Sequence, residues 1–295
     1  MKILYVSDGS HDAEAATAFL LRLDLTAGDE ITILHVIAIN PFLDDGAAYS
    51  AQIDRIRKDV APRIIDSALS LLRQTKARLS PAILEGYPDK SIIAYAKESG
   101  ADLVVAGAKG VSGIKAHLIG SVTRSLAINC PAPLLVVRPS TPHPERSFRI
   151  LVPTDGSPQA AATARLLAKL PFGRDAEIRV LNVLSSLIAD IPERFAPEIS
   201  ERYKAEVATA RTAEYAHSEE VIQECRSILL PAFARIDGNT RIGNPLEEIL
   251  DEAAKGDVDL IAVGYHGKKA LFSMMGSVSR AILGHAPRSV LIGKE

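Results

Sequence analysis

The most informative part of the sequence is Gly107-Ala108-Lys109-Gly110, which is followed ten residues later by Gly120-Ser121. It comes directly after the apolar run 102–106, and a short apolar run of this kind is typical of a buried strand in a parallel sheet. Apolar side chains recur at helical spacing after Gly120, so the stretch predicts a strand, a glycine loop and a helix N-terminus. Glycines permit a positive φ and let backbone N–H groups approach a ligand closely, which suits a phosphate.

This glycine loop matches neither of two widespread phosphate-binding patterns. Its spacing differs from the G-x-x-x-x-G-K-[ST] of P-loops and from the G-x-G-x-x-G of dinucleotide-binding folds. One alternative is therefore a loop that only turns the chain, in which case Ser121 would be an ordinary helix cap and Lys109 a solvated side chain. A phosphate site is favoured because most of the pattern occurs twice.

The chain contains two copies of one unit. The segment 149–157, Arg-Ile-Leu-Val-Pro-Thr-Asp-Gly-Ser, repeats the segment 2–10, Lys-Ile-Leu-Tyr-Val-Ser-Asp-Gly-Ser. Two Gly-x-Pro turns also correspond, and glycines at positions 100 and 256 are each expected to end a helix. Residues 139–147 contain three prolines and no apolar periodicity, which indicates a linker. The predicted domains are residues 1–139 and 148–295.

Each copy alternates strands and helices, which predicts an α/β fold with a parallel, doubly wound sheet. Such sheets bind ligands outside the carboxyl ends of the strands, where the strand order reverses. Asp8 follows the first strand and Gly107 follows the fourth, so we expect the two to frame one crevice. A carboxylate facing a nucleoside and a glycine loop facing phosphates would suit a nucleotide.

The second copy departs from the first in its loop. The loop from Gly267 to Gly276 is one residue shorter than its counterpart, and His266 stands where the first copy has a lysine. A lost residue displaces backbone N–H groups by up to ~3.5 Å, and histidine is mostly neutral at neutral pH. We therefore expect unequal sites, with the tighter one in the first copy.

Composition excludes several functional classes. The 295 residues carry a formal net charge of −2, which argues against a nucleic acid or an anionic membrane as a partner. No apolar run approaches the ~20 residues of a transmembrane helix, and the sequence begins with a strand pattern, so we expect a cytoplasmic protein without a signal peptide. The two cysteines, Cys130 and Cys225, are expected to be reduced, and no metal site is predicted from the histidine spacing.

With these motifs the sequence resembles a tandem member of the universal stress protein family. The ATP-binding form of that family has a G-x2-G-x9-G-(S/T) signature, which Gly107, Gly110, Gly120 and Ser121 match in full. The resemblance implies a five-stranded, Rossmann-like sheet of order 3-2-1-4-5 in each copy. It also implies that the last strands of the two copies pair, which makes a pseudo-dimer within one chain.

The resemblance further implies an adenine nucleotide as the ligand: ATP, or ADP or AMP, with Mg²⁺ held through the phosphates. In the family the early aspartate and the second strand contact the adenosine, while the glycine loop and the serine contact the phosphates. The candidate residues of the first copy are Ser7, Asp8, Val36, Gly107, Lys109, Gly110, Gly120, Ser121, Val122 and Thr123. Those of the second copy are Asp155, Val183, Gly264, His266, Gly267, Gly276 and Ser277.

The favoured function is an ATP-binding regulatory protein of a stress response. One alternative is a nucleotide-independent interaction or scaffold protein, as the family's non-binding members are, and another is a slow ATPase. The sequence has no nucleophile elbow, no H-E-x-x-H motif and no acid–base pair at a telling spacing, so no catalytic residue is predicted. A homodimer of the tandem chain is left open.

Overall fold

The computed structural model describes residues 1–39, 48–110, 119–139, 146–185, 201–267 and 275–294, without the side chains of 48–54 and 201–207. The chain forms two compact units. The first consists of residues 1–144 together with 287–295, and the second of residues 145–286. No helix in the described ranges is both long enough and apolar enough to cross a membrane.

The sheet of the first unit confirms the predicted strand order. Its strands are β1 (Lys2–Val6), β2 (Glu30–Ala38), β3 (Arg78–Gly86), β4 (Leu103–Gly107), β5 (Leu134–Val137) and β10 (Ser289–Gly293). They lie in the order β3-β2-β1-β4-β5-β10, in which β10 is antiparallel to β5 and the other pairs are parallel. The first five give the order 3-2-1-4-5. The last strands of the two copies pair, as the resemblance implied.

Four helices flank this sheet, each placed by a local signal. They are α1 (His11–Leu21), α2 (Ala48–Leu72), α3 (Pro88–Ser99) and α4 (Ser121–Asn129). Ser10 caps α1, because its Oγ accepts the backbone N–H of Ala13 at 3.3 Å. Gly100 ends α3 with a left-handed φ of 62°, as its position predicted.

The second unit repeats the arrangement with four strands. They are β6 (Arg149–Pro153), β7 (Glu177–Leu184), β8 (Arg235–Ile242) and β9 (Leu260–Gly264), in the order β9-β6-β7-β8 with parallel pairing. The helices are α5 (Pro158–Lys169), α6 (Glu201–Leu229), α7 (Pro245–Lys255) and α8 (Ser277–His285). Ser157 caps α5 and Pro158 is its first residue, a pairing typical of helix starts.

One helix end differs from the expectation. Gly256 caps α7 with a φ of −81°, so it does not use the left-handed conformation that Gly100 uses. The positive φ falls instead on Asp257, at 47°, and Asp257 forms an ion pair with Arg146. Aspartate tolerates the left-handed region better than most residues, and this contact accompanies the unusual conformation.

The last strand is buried in the first unit, and each unit has one buried cysteine. Val290, Leu291 and Ile292 of β10 are fully buried, so the end of the chain belongs to the core of this unit. Cys130 and Cys225 are buried and form no disulfide. Burial raises the pKa of both thiols, that of Cys225 to about 12, so neither is a reactive thiolate at neutral pH.

Lys294, directly after β10, lies at the C-terminus of α4. Its Nζ donates to the backbone oxygens of Cys130 at 2.6 Å and Leu126 at 3.5 Å, at the C-terminal end of the helix. Burial lowers the pKa of this ammonium group to about 8. The favourable position at a helix C-terminus therefore does not outweigh the cost of burying the charge.

This pKa makes a prediction about stability and pH. The pKa of Lys294 is lower in the folded chain than its ordinary value of 10.5. Between about pH 8 and pH 10.5 the unfolded chain therefore binds more protons than the folded chain, and the free energy of unfolding rises with pH. We expect the stability of the wild-type protein, relative to Lys294→Met, to increase from about pH 7.5 to about pH 9.5. Urea unfolding of both proteins at the two pH values measures this. An unchanged difference would contradict the prediction.

Candidate functional site

The end of β1 is a tight turn that fixes the Asp8 carboxylate. Its Oδ1 accepts a hydrogen bond from the backbone N–H of Ser10 at 3.0 Å, and Gly9 has a left-handed φ of 75°. Aspartate commonly closes turns in this way, by bonding to the backbone two residues further on. The carboxylate is therefore held at the carboxyl edge of the sheet.

Asp8 and the glycine loop are in contact. A Cβ atom built at Gly110 would lie 2.5 Å from Oδ2 of Asp8, which is closer than real Cβ contacts. Gly107 packs as tightly against α1, because a Cβ there would lie 2.8 Å from Cβ of Asp12. The topology thus brings the strand-end carboxylate and the loop together, as the doubly wound sheet predicts.

Of the two properties of glycine, a positive φ and close approach, only close approach is used at Gly107 and Gly110. Neither Gly107 nor Gly110 is among the glycines that have a positive φ, so neither uses the left-handed conformation that glycine permits. Close approach is what requires them. An alanine at position 110 would have to displace the carboxylate of Asp8.

Backbone atoms of the loop form hydrogen bonds with α1 and with β5. The N–H of Lys109 donates to Oδ2 of Asp12 at 3.0 Å, and the carbonyl of Lys109 accepts from Oγ of Ser10 at 3.3 Å. The N–H of Ala108 donates to the carbonyl of Val137 at 2.8 Å. The loop is therefore tied to the first turn of α1 on one side and to the end of β5 on the other.

The helix that follows the loop begins without a side-chain cap. Gly120 is the N-cap of α4, and its N–H donates to the carbonyl of Ala108 at 2.8 Å, which brings the helix start back onto the loop. The alternative that Ser121 is the cap is wrong, because Ser121 is the first helical residue and is exposed. The N-terminus of α4, with its first N–H groups, thus lies at the same edge as Asp8, where an anion is favoured.

The remaining candidates of the first copy divide into two groups. Val122 is half-buried in the first turn of α4, whereas Thr123 is buried and its Oγ1 donates to the carbonyl of Gly107 at 2.9 Å. Thr123 therefore holds the loop to the helix. Val36 extends past the last pairing of β1 with β2, Val6 opposite Leu34, and the same register would place it opposite Asp8.

Ser7 and its neighbour on β2 show a contact that the sequence did not indicate. Ser7 is buried, and its carbonyl accepts a hydrogen bond from Nδ1 of His35 at 2.8 Å. The second unit has the same arrangement with an amide, because Nδ2 of Asn182 donates to the carbonyl of Thr154 at 2.7 Å. Both contacts fix the strand end that precedes the aspartate.

The second unit reproduces the backbone of the site. A Cβ at Gly267 would lie 2.8 Å from Oδ2 of Asp155, and the N–H of Gly276 donates to the carbonyl of Tyr265 at 2.9 Å. A Cβ built at Gly276 would lie 3.7 Å from the nitrogen of Gly267, the same distance as between Gly120 and Gly110. The one-residue shortening therefore leaves these flanking glycines in place, and it falls on residues 268–274, outside the described residues.

Other candidates of the second unit are placed as in the first. Gly264 ends β9, where a Cβ would lie 3.3 Å from the carbonyl oxygen of Gln159 in α5. Val183 lies on β7 opposite Arg241 of β8, and Ser277 is the first residue of α8 after the N-cap Gly276.

The side chains distinguish the two units more than the backbone does. Lys109 is half-buried beside its loop, whereas the ring of His266 packs edge-to-face on Tyr265 with centroids 4.4 Å apart. Asp12, which anchors the first loop, has Gln159 as its counterpart two residues after the serine cap. The first unit thus has two charged groups at its loop where the second has an imidazole and an amide.

Two larger cavities lie in the described part of the chain. A groove of about 430 Å³ runs along α4 and includes Ser121, Arg124 and Ile128. A cavity of about 330 Å³ lies at the amino ends of β6, β7 and β8, away from the glycine loop. Its arginines already pair with carboxylates, Arg149 and Arg235 with Glu177, so it is not the favoured ligand site.

A parallel, doubly wound sheet with an aspartate against a glycine loop at its carboxyl edge places the first unit in the class of doubly wound α/β proteins. The sequence profile of the universal stress protein family matches residues 1–138 and again residues 147–294. The chain therefore belongs to the universal stress protein family, as a tandem member.

Several proteins of known structure or curated sequence are similar to this chain. Universal stress protein YxiE of Bacillus subtilis is 29% identical over 145 residues, which are 46% of this chain and 98% of that protein. The crystal structure of a universal stress protein from Archaeoglobus fulgidus is 19% identical with a TM-score of 0.64, and the match covers 99% of this chain and 98% of that one. A universal stress protein solved in complex with cAMP is 20% identical with a TM-score of 0.36, covering 48% and 98% of the two chains.

Proposed function

We propose that the first copy binds an adenine nucleotide, with ATP as the tightest ligand, and that its occupancy regulates the protein in a stress response. The observation that carries this proposal is the contact between Asp8 and Gly110, where the carboxylate fills the space that a Cβ would need. In this proposal the carboxylate accepts hydrogen bonds from the ribose hydroxyls, and the backbone N–H groups at the start of α4 receive the phosphates. One crevice then serves both ends of a nucleotide.

Each candidate residue has a role that follows from its position. The Asp8 carboxylate accepts hydrogen bonds from the ribose, and the backbone near Val36 borders the base. The N–H groups of the first turn of α4, with the Ser121 hydroxyl, donate to the phosphates, while the N–H groups of Ala108 and Lys109 stay bonded to Val137 and Asp12. Mg²⁺ would be held mainly by phosphate oxygens, because it retains waters and needs few protein ligands.

The second copy is proposed to bind the same ligand more weakly. Its flanking glycines and Asp155 keep the geometry of the first copy. It lacks the fixed positive charge of Lys109, because a histidine, His266, occupies that position. The difference in affinity between the two copies is therefore expected to be larger for a polyphosphate than for a monophosphate.

A matched pair of substitutions tests this proposal. We expect Lys109→Met to weaken ATP about five- to tenfold, since one charge-assisted contact in a partly exposed site contributes about 1 to 1.5 kcal/mol. AMP is expected to lose less, because it has no distal phosphates. His266→Met serves as the control and is expected to leave the tight site unchanged. Titrations of ATP, AMP and cAMP into nucleotide-stripped protein measure the effects.

The outcomes separate the proposed function from its alternatives. Equal weakening of ATP by both substitutions would contradict the assignment of the tight site to the first copy. No binding of any nucleotide to folded wild-type protein would favour a nucleotide-independent interaction protein. Steady release of phosphate that Lys109→Met abolishes would favour the slow ATPase.

A further inference from the structure

A relay of three polar side chains, Asn182, Ser218 and Thr240, runs through the second unit. Nδ2 of Asn182 on β7 donates to the carbonyl of Thr154 at 2.7 Å, and Oδ1 of Asn182 accepts from Oγ of Ser218 on α6 at 2.8 Å. Oγ of Ser218 lies 2.7 Å from Oγ1 of Thr240 on β8. Asn182 is 7% exposed and Ser218 is fully buried, so these groups satisfy one another in place of water.

The number of available hydrogens sets the direction of every bond in this relay. A carbonyl oxygen only accepts, so Asn182 turns its NH₂ group toward Thr154 and its side-chain oxygen toward Ser218. The single hydroxyl hydrogen of Ser218 is then used, and Thr240 is the donor of the last bond. Each member therefore has one favoured orientation, and the Thr154 carbonyl is held through β7, α6 and β8 together.

The Thr154 carbonyl belongs to the peptide group that leads into Asp155, the candidate ligand residue of the second copy. Oδ1 of Asp155 accepts the backbone N–H of Ser157 at 3.0 Å, and Oδ2 faces Gly267. The N–H of Thr154 donates to the carbonyl of Leu181 at 2.8 Å, so β7 holds this residue by both of its backbone groups. The orientation of the 154–155 peptide group therefore determines where the carboxylate points.

The first unit holds the same strand end without this relay. Nδ1 of His35 donates to the carbonyl of Ser7 at 2.8 Å. Counted from the helix ends, the residue of α2 that corresponds to Ser218 is Ala61, which is fully buried and has no polar side-chain group. The corresponding residue of β3 is the apolar Ile83. All three relay positions thus differ together between the copies, whereas the carbonyl that is held is the same one.

We propose that Asn182 is a positioning residue for the ligand site of the second copy: it holds the Thr154 carbonyl and with it the turn that presents Asp155, and Ser218 secures Asn182 to α6. Loss of the Asn182 amide would leave a buried carbonyl and a buried hydroxyl without this partner, which costs more than one hydrogen bond contributes. The relay therefore keeps the Asp155 carboxylate in one position before a ligand arrives. Preorganisation of this kind lowers the ordering cost of binding.

Hydrogen exchange of the Ser157 amide in nucleotide-free protein tests the positioning directly, because this amide is bonded to the Asp155 carboxylate. Leucine is similar in size to asparagine and has no donor, so we expect Asn182→Leu to raise the exchange rate at Ser157 about tenfold. The Ser10 amide of the first unit, which is bonded to Asp8 in the same way, should be unchanged.

Four further variants make this result specific. Ser218→Ala leaves the Asn182 amide as a donor and is expected to raise the exchange rate at Ser157 about threefold. The double variant Asn182→Leu/Ser218→Ala should exchange no faster than Asn182→Leu alone, because both act through one contact. Asn182→His/Ser218→Ala installs the residues that the first copy has at these positions and should recover most of the protection. Thr212→Ala removes an exposed hydroxyl of α6 that bonds to the helix backbone, and it should change nothing.

The consequence for affinity rests on the proposed function and is measured separately at each copy. The amide resonances of Ser277 and Ser121, the first residues of α8 and α4, report ATP at the second and the first copy. The ATP concentration that shifts the Ser277 resonance halfway is expected to rise about threefold to tenfold in Asn182→Leu. The Ser121 resonance should shift at the same ATP concentration as in the wild-type protein.

The two readouts distinguish the two claims. Unchanged exchange at Ser157 in folded Asn182→Leu would overturn the positioning role and leave the proposed function standing. Faster exchange at Ser157 in a protein whose Ser277 resonance does not respond to ATP would support the positioning role and remove nucleotide binding by the second copy. Equal acceleration at Ser157 and Ser10 would indicate a general loosening of the fold and overturn the inference. Should Asn182→Leu fail to fold, Ser218→Ala decides, and unchanged exchange at Ser157 in that variant would overturn it.

Discussion

Replacing Gly110 with alanine is expected to weaken ATP binding about tenfold to 100-fold. The new Cβ would lie 2.5 Å from Oδ2 of Asp8, so the carboxylate must turn away from the crevice. The ribose then loses a charge-assisted acceptor, a contact that contributes about 1.5 to 3 kcal/mol. The free energy of unfolding should change little, because the displaced group is the end of a side chain.

Two matched substitutions make this result specific. Gly267→Ala produces the same crowding in the second unit, where the Cβ would lie 2.8 Å from Oδ2 of Asp155, and should leave the tight site intact. Gly284→Ala places a methyl group where no atom lies within 4 Å and controls for the substitution itself. Unchanged ATP affinity in Gly110→Ala, measured by calorimetry, would remove Asp8 from the site.

Leu291→Ala is expected to lower the free energy of unfolding by about 2 to 5 kcal/mol. Leu291 is fully buried in β10 and stands opposite Leu135 in the antiparallel pairing with β5. Truncation removes apolar surface from the core and leaves a cavity that packed strands cannot fill. The effect is large because β10 pairs with β5 in the buried core of the first unit.

Leu230→Ala is the control for this substitution. Leu230 is 54% exposed, so the same change in size should alter the free energy of unfolding by about 0.5 kcal/mol or less. Urea unfolding followed by circular dichroism measures both variants. A loss at Leu291 no larger than that at Leu230 would show that β10 contributes little to the first unit.

Repetition is what made the fold predictable. The matching strand ends that carry Asp8 and Asp155, and the glycines that follow the fourth strand of each copy, identified two α/β units with one topology. The strand order then determines which chain segments meet at the carboxyl edge. The contact of Asp8 with Gly110 follows from that order, since the first and fourth strands are neighbours.

Some structural features were not predicted from the sequence, because the residues involved have common roles that hide the contacts they make. Asp12 lies in the first turn of a helix, where acidic residues are common because they favour the helix dipole, and nothing in its spacing points to the Lys109 amide. His35 acts through a tertiary contact that only the folded sheet creates. The left-handed residue after α7 proved to be Asp257, although glycine is the usual choice.

The stoichiometry of ATP binding tests the central claim most directly. Calorimetric titration of nucleotide-stripped protein, with and without Mg²⁺, counts the sites in one chain. We predict one tight site in each chain. Gly110→Ala should weaken this site, and Gly267→Ala should leave it unchanged. Two sites of equal affinity, or no binding by fully folded protein, would contradict the account.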